Sequence, residues 1–310
     1  MTDGITRRSD DAAFASGDLA ADRRLAWALA SAREGDHEAA ADLARQALER
    51  VATFAAAWFA LAEAEEALGR RASAAEAYAT ALRLRPDDPF GAGARAARLD
   101  GVTPPQLAPA YVRRLFDDYA SRFDAHLTGA LAYRGPALLR AAALADGPRR
   151  FRRALDLGCG TGLSGEAFRD VVDRLEGCDL SSAMIAQARA KGCYDALETD
   201  GLTGFLERRA DAGCDLVLAA DVFVYLGDLA PVFAASARAL APGGLFAFTT
   251  QAIPDGEGWR LLDDLRFGHS ADWVAGALAK AGFSARVEVA STRRDRGVDV
   301  PGLLVTARRA

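Results

Sequence analysis

The residues with the most chemical content fall in one stretch. Ala154-Leu155-Asp156-Leu157 is apolar apart from its aspartate, and Gly158-Cys159-Gly160-Thr161-Gly162 follows before a helical pattern resumes. Glycines at 158, 160 and 162 let the backbone turn sharply and let a ligand approach its N–H groups. Gly160-Thr161-Gly162-Leu163-Ser164-Gly165 also reads literally as GxGxxG, a dinucleotide signature that is a weak signal when it stands alone. The hydrophobic strand stops at Leu157, so the turn glycine is Gly158, and in that register the third dinucleotide glycine falls on Leu163. Asp156 at the strand tip would repel a pyrophosphate but can accept from an ammonium group or an ordered water. The pattern therefore favours a zwitterionic ligand that carries positive charge.

More carboxylates follow at the ends of later apolar runs. Asp179, with Leu180 after it, closes a second run, where an acid can accept from both ribose hydroxyls in more than one nucleoside-binding fold. Ser181-Ser182-Ala183-Met184-Ile185 opens the next helix, and Met184 is the only methionine besides the initiator. It can face an adenine ring or simply fill the core. Asp200 follows a third run and can accept from an adenine amino group or stand in solvent. Asp221 and Tyr225 lie just past Cys214–Ala220, on the side where open parallel sheets bind ligands.

The elements that must position these residues alternate. Strands are expected at Arg153–Leu157, Leu175–Cys178, Ala196–Thr199, Cys214–Ala220, Gly244–Gln251, Arg286–Ala290 and Leu303–Arg308. Helices are expected at Leu163–Val172, Ala183–Ala190, Leu229–Ala241 and Ala271–Ala281. This implies an α/β fold with a parallel sheet covered on both faces and an antiparallel hairpin at one edge. An amphipathic helix over Tyr111–Leu127 and a short one over Pro136–Ala145 precede the sheet. Upstream, Asp18 to Leu99 is all-helical in pattern, with breaks near Gly35, Thr53, Gly69 and Pro86. A shift of 34 residues matches Gly35 with Gly69, Ala40 with Ala74, Ala47 with Ala81 and Leu48 with Leu82, the period of a helical repeat. The expected division is a flexible terminus at 1–17, helical repeats at 18–100, a linker at 101–109 and an α/β domain at 110–310 that opens with helices over 110–145.

On these motifs the α/β domain resembles the class I S-adenosylmethionine-dependent methyltransferases. The acid before the glycine run, the DxSxxM text and the Ala241-Pro242-Gly243-Gly244 turn all match. The resemblance implies a Rossmann-like, seven-stranded, mostly parallel sheet that binds S-adenosylmethionine and releases S-adenosylhomocysteine. Its donor site would comprise Asp156, Gly158, Cys159, Gly160, Gly162, Asp179, Leu180, Met184, Asp200 and Asp221. The helical half, with Trp58, Leu61, Ala62, Gly69, Ala74, Tyr78, Ala81 and Pro86, resembles the tetratricopeptide (TPR) pattern. The text Phe116-Asp117-Asp118-Tyr119-Ala120-Ser121-Arg122-Phe123-Asp124-Ala125-His126-Leu127, then Leu131-Ala132-Tyr133-Arg134-Gly135-Pro136, is similar to bacterial predicted methyltransferases with TPR repeats. That resemblance implies a lid in which Tyr119 and Phe123, four apart on one helix face, close over the donor.

Methyl transfer to a hydroxyl or carbon acid benefits from a general base, whereas a carboxylate acceptor needs none. His269 is the histidine whose ordinary pKa suits the task, and it can equally pin its loop; Asp221 is the other candidate. Arg122, Arg134 and Arg266 lie near the expected mouth and could hold an anionic acceptor. The expected acceptor is a small molecule, with the repeats left for a protein partner or self-association. Recruitment of an acceptor protein by the repeats, and a non-catalytic donor-binding scaffold, are the alternatives. A formal charge of −5 lacks the basic excess of a nucleic-acid binder. No apolar run reaches membrane-spanning length, and Met1 to Asp11 has no apolar stretch, so a cytoplasmic protein is expected. The four cysteines, Cys159, Cys178, Cys193 and Cys214, and the three histidines follow neither a zinc nor a disulfide pattern.

Overall fold

In the computed structural model the described residues are 14–310 apart from 131, 148 and 296, so Leu131 and most of the expected flexible terminus lie outside them. The chain divides into two compact units, the first running to Asp118 and the second from Tyr119.

The first unit is helical: α1 (Leu19–Glu34), α2 (His37–Arg50), α3 (Ala55–Ala67), α4 (Arg71–Leu84), α5 (Ala92–Leu99) and α6 (Pro109–Tyr119). Gly35 and Gly69 turn the first two hairpins in the left-handed region, at φ 85° and 74°. Small side chains let each helix pair approach, and Ala40, Ala47, Ala74 and Ala81 are all buried. Two expectations change here. Phe14 is not in a flexible terminus: it is buried, with its ring 5.3 Å from that of Phe90. Nor does α6 open the α/β unit, because Arg114 donates to the Pro89 carbonyl (2.7 Å) and covers the rings of Phe14 and Phe90.

The amphipathic run to Leu127 is not one helix. After Tyr119 it breaks into a 3₁₀ turn (Ala120–Arg122), α7 (Phe123–Ala125) and a π turn (His126–Ala130), and α8 (Gly135–Ala143) follows. The rest alternates: β1 (Phe151–Leu157), α9 (Leu163–Phe168), β2 (Val172–Asp179), α10 (Ser182–Lys191), β3 (Ala196–Thr199), α11 (Leu202–Glu207), β4 (Cys214–Ala219), α12 (Ala230–Ala239) and β5 (Leu240–Ala252). Then come β6 (Trp259–Leu261), β7 (Phe267–His269), α13 (Ala271–Lys280), β8 (Phe283–Asp295) and β9 (Val298–Arg309).

Strands β3-β2-β1-β4-β5 are parallel neighbours, and β9 then runs antiparallel to β5 with β8 antiparallel outside it. The sheet holds nine strands among the described residues rather than seven, because β7 pairs with the end of β5 and β6 with β7. The central strands send alternate residues to opposite faces, as the period of two requires. Val217, Ala219, Phe246 and Phe248 join Phe233 of α12 and Val274 of α13, while Leu216, Leu218 and Ala247 join Leu139 of α8 and Phe168 of α9. The carboxyl ends of β1, β2, β3 and β4 therefore emerge side by side, each with an aspartate at or just beyond its tip. Among the described residues no helix is long and apolar enough to cross a membrane.

Candidate functional site

At the end of β1 the chain turns through Gly158, Gly160 and Gly162, all at positive φ (67°, 53° and 94°). Side chains at these positions would be strained, and at Gly158 a Cβ would also collide with Val222, which follows β4. The Cys159 N–H donates to the Cys178 carbonyl (2.9 Å), which ties the turn to β2. Asp179 fixes the next step: its carboxylate accepts from the N–H groups of Gly160 (3.0 Å) and Ser181 (2.8 Å). Leu180, beside it, is half-buried. The Ser181 hydroxyl accepts from the Met184 N–H (3.0 Å) and so caps α10.

Asp156 lies beneath this turn rather than open at a strand tip. It is fully buried and accepts from the Tyr194 hydroxyl at 2.6 Å, while its other oxygen, Oδ1, has no hydrogen-bond partner. Burial raises its pKa to about 7, against the Tyr194 bond, which lowers it. Tyr194 went unassigned from the sequence, although it organises the turn. Its hydroxyl also accepts from the Gly165 N–H (3.0 Å), and its ring occupies the space a Cβ on Gly162, Gly165 or Gly177 would need. Gly165, the last glycine of the GxGxxG text, is thus a packing requirement of this tyrosine.

Met184 is fully buried at the start of α10. Asp200 stands just past β3, where one oxygen accepts from the Gly201 N–H (2.7 Å) and the other pairs with Arg208.

The residues around 120 do close on the glycine turn. Phe123 comes within 3.9 Å of a Cβ built on Gly160, and its ring meets that of Tyr119 at a centroid distance of 5.2 Å, edge to face. Asp124 fastens this segment, accepting from the Thr161 hydroxyl and pairing with Lys191 at 2.8 Å. The Tyr119 hydroxyl bonds to Nδ1 of His126 rather than standing free. Burial raises its pKa, and Arg122, Tyr225 and Arg266 act on it electrostatically.

The two candidate bases are both committed. His269 is fully buried: Nδ1 meets the Thr250 hydroxyl at 2.7 Å, Nε2 meets the Gly227 carbonyl at 3.0 Å, and the ring stacks on Trp273. With Nε2–H donating to the carbonyl, Nδ1 accepts from the threonine, so neither nitrogen is left for a substrate. Burial lowers its pKa to about 4. The general-base role expected for His269 is corrected accordingly to that of a pin between β5, β7 and the loop after β4.

Asp221, at φ 58°, is in the left-handed region that a non-glycine residue rarely adopts. Its carboxylate is held by Arg293 (2.8 Å), itself buried and donating also to Gln251 (3.1 Å). Arg293, Gln251 and Thr292 were not foreseen, and Arg293 lies 72 residues from its partner. A salt-bridged Asp221 is a structural anchor, not a free base. Arg134 is likewise spent, its guanidinium donating to the Ser291 carbonyl (2.9 Å), and Arg122 lies over the Tyr119 ring. Arg266 hydrogen-bonds Tyr225.

The second unit has the Rossmann-like fold of the methyltransferases, a mixed α/β sheet with helices on both faces. Residues 155–248 match the family described as "Methyltransferase domain". Over 120 residues the chain is 33% identical to the malonyl-[acyl-carrier protein] O-methyltransferase of Enterobacter lignolyticus, covering 37% of this chain and 47% of that protein. Over 102 residues it is 30% identical to the ubiquinone biosynthesis O-methyltransferase of Hahella chejuensis, covering 32% and 43%. The chain thus spans less than half the length of these curated relatives. The putative methyltransferase of Haloferax volcanii, solved with the Trm112 methyltransferase activator, superposes with a TM-score of 0.51 at 19% identity, covering 62% of this chain and 96% of that one.

Proposed function

We propose that the second unit binds S-adenosylmethionine and transfers its methyl group to a small organic acceptor. The observation that carries this reading is the unpartnered Oδ1 of Asp156 beneath the glycine turn, a buried acceptor suited to a ligand ammonium or a water bound to it. Asp179, oriented by two backbone N–H groups, is the carboxylate that would accept from the ribose hydroxyls. Asp200 takes the adenine amino group alongside Arg208, Leu180 lies at the ring edge, and Cys159 supports the turn from below. Tyr119 and Phe123 form the lid that excludes water. When bound, the sulfonium supplies an already activated methyl group, so the residues' task is alignment and exclusion of water. The names of the curated relatives, both O-methyltransferases, support oxygen as the acceptor atom.

We read the first unit as TPR-like repeats, supported by two helical hairpins that share buried alanines 34 residues apart. Its office would be to bind a protein partner or a second copy. Two hairpins and a cap are fewer than the roughly three repeats a solenoid usually needs.

The test is calorimetric titration of the purified protein with S-adenosylhomocysteine and, separately, NADH. Micromolar binding of the first, lost in Asp179→Ala with its fold verified by circular dichroism, is the expected result. Binding of NADH alone would overturn the reading and restore the dinucleotide interpretation of Gly160–Gly165.

A further inference from the structure

Arg266 is placed with care. It sits in the turn between β6 and β7, where Leu265 is buried at φ 57° and the Leu262 N–H donates to the Arg266 carbonyl at 2.7 Å. A strained, buried turn residue of this kind persists where the surroundings enforce it. The guanidinium is partly buried and hydrogen-bonds Tyr225, and the charges of Asp264 and Asp221 also favour its cationic form. Among the described residues no carboxylate pairs with it, in a chain whose other enclosed arginines, such as Arg209 and Arg293, have acidic partners. A half-buried guanidinium with no direct carboxylate partner keeps donors for an anionic ligand.

Its position follows from a chain of contacts. Gly158 abuts Val222, three residues before Tyr225. From the other side Phe123 covers Gly160, and Tyr119 packs on Phe123 within electrostatic reach of Tyr225 and Arg266. Arg266 therefore lies beside the lid, close to the glycine turn. Two candidate bases nearby are occupied: His269 by Thr250 and Gly227, Asp221 by Arg293.

We propose that the acceptor is a small carboxylate, held by Arg266 beside Tyr225 and methylated on its own oxygen to a methyl ester. The proposal rests on the methyl-transfer reading above. A carboxylate is ionised at neutral pH and is a nucleophile without help, whereas a phenol, amine or carbon acid must also lose a proton. In the step, a carboxylate oxygen lone pair forms the bond to the methyl carbon as the carbon–sulfur bond breaks, its electron pair staying on sulfur. An anion and a sulfonium cation become a neutral ester and a neutral thioether, and no proton is released. Arg266 offsets the desolvation of the anion, for which its planar fork is suited.

The test titrates the full chain, saturated with S-adenosylhomocysteine, with hexanoate, adipate and benzoate and with their amides. Each acid should bind at least tenfold more tightly than its amide. Arg266→Gln should bring the acids to the level of the amides with affinity for S-adenosylhomocysteine unchanged, Arg266→Lys should restore part of the difference, and Tyr225→Phe should weaken the acids by a smaller factor. For an acid that turns over with methyl-labelled donor, the label should be released as methanol by mild alkali, with no proton liberated during the reaction. Acids that bind no better than amides, or whose binding survives Arg266→Gln, overturn the assignment and leave the donor site standing. If S-adenosylhomocysteine itself fails to bind the unaltered protein, the methyl-transfer reading falls instead.

Discussion

A histidine with both ring nitrogens bonded inside the protein reports on stability rather than on turnover. His269 has its pKa lowered to about 4, while in the unfolded chain it returns to an ordinary value near 6.5. Between these values the unfolded chain takes up a proton that the folded one refuses, so stability is complete above about pH 6.5 and falls as the pH drops toward 4. The loss from this group amounts to about 3 kcal/mol across that window. Urea denaturation at pH 7.5 and pH 5 should show it, and His269→Gln should be less stable at pH 7.5 yet lose less on acidification. The same variant should leave the pH profile of methyl transfer unshifted; a profile that loses an ascending limb near neutrality would return His269 to the reaction.

At the scale of elements, what holds the ends of β4, β5 and β8 together is a knot of long-range ties rather than any one strand. Asp221 follows β4, Gln251 ends β5 and Arg293 belongs to β8, and the Arg134 N–H, before α8, donates to the Thr292 carbonyl at 2.7 Å. Removing the arginine leaves a carboxylate enclosed and unpaired, so Arg293→Met should cost about 3 kcal/mol. Asp221→Asn in the same protein should recover at least half of that, because asparagine tolerates the left-handed backbone and carries no charge. Chemical denaturation of the single and double variants decides the matter; equal losses in both would mean that the ion pair is incidental. This knot also marks where sequence reading stops. The glycine turn was legible because positive φ demands glycine locally, and Asp179 because it ends a recognisable strand. Tyr194 and Arg293 were not, since each acts on a partner 38 or 72 residues away. Strands of three residues, such as β6 and β7, are too short for a period of two to register, so the hairpin that carries Arg266 was missed too. The run from Tyr111 to Leu127 looked like one helix because its apolar spacing continues past Tyr119, where Phe123 and Asp124 instead turn toward the glycine loop.

For the whole molecule, the organising fact is that each unit has its own core. The first is built on Phe14, Phe59, Tyr78 and Phe90 with an alanine-rich helix packing, and the second on two apolar layers, one on each side of the sheet. Cores that share no residues can melt separately, and a ligand stabilises only the unit whose folded form binds it. Heating the full chain in a calorimeter should therefore resolve two transitions. S-adenosylhomocysteine at about one hundred times its dissociation constant should add about 2.7 kcal/mol to the α/β unit alone. For a unit of this size that is a rise of roughly 5–10 °C in one transition, with the other unmoved. Assignment is independent of the ligand, because Arg293→Met should lower the transition that the ligand raises and leave the helical one in place. A single transition that moves as a whole would show instead that the helical unit folds only together with the α/β unit. In that case the helical unit would be part of the α/β unit's scaffold, and a role for it as a separate docking module would be untenable.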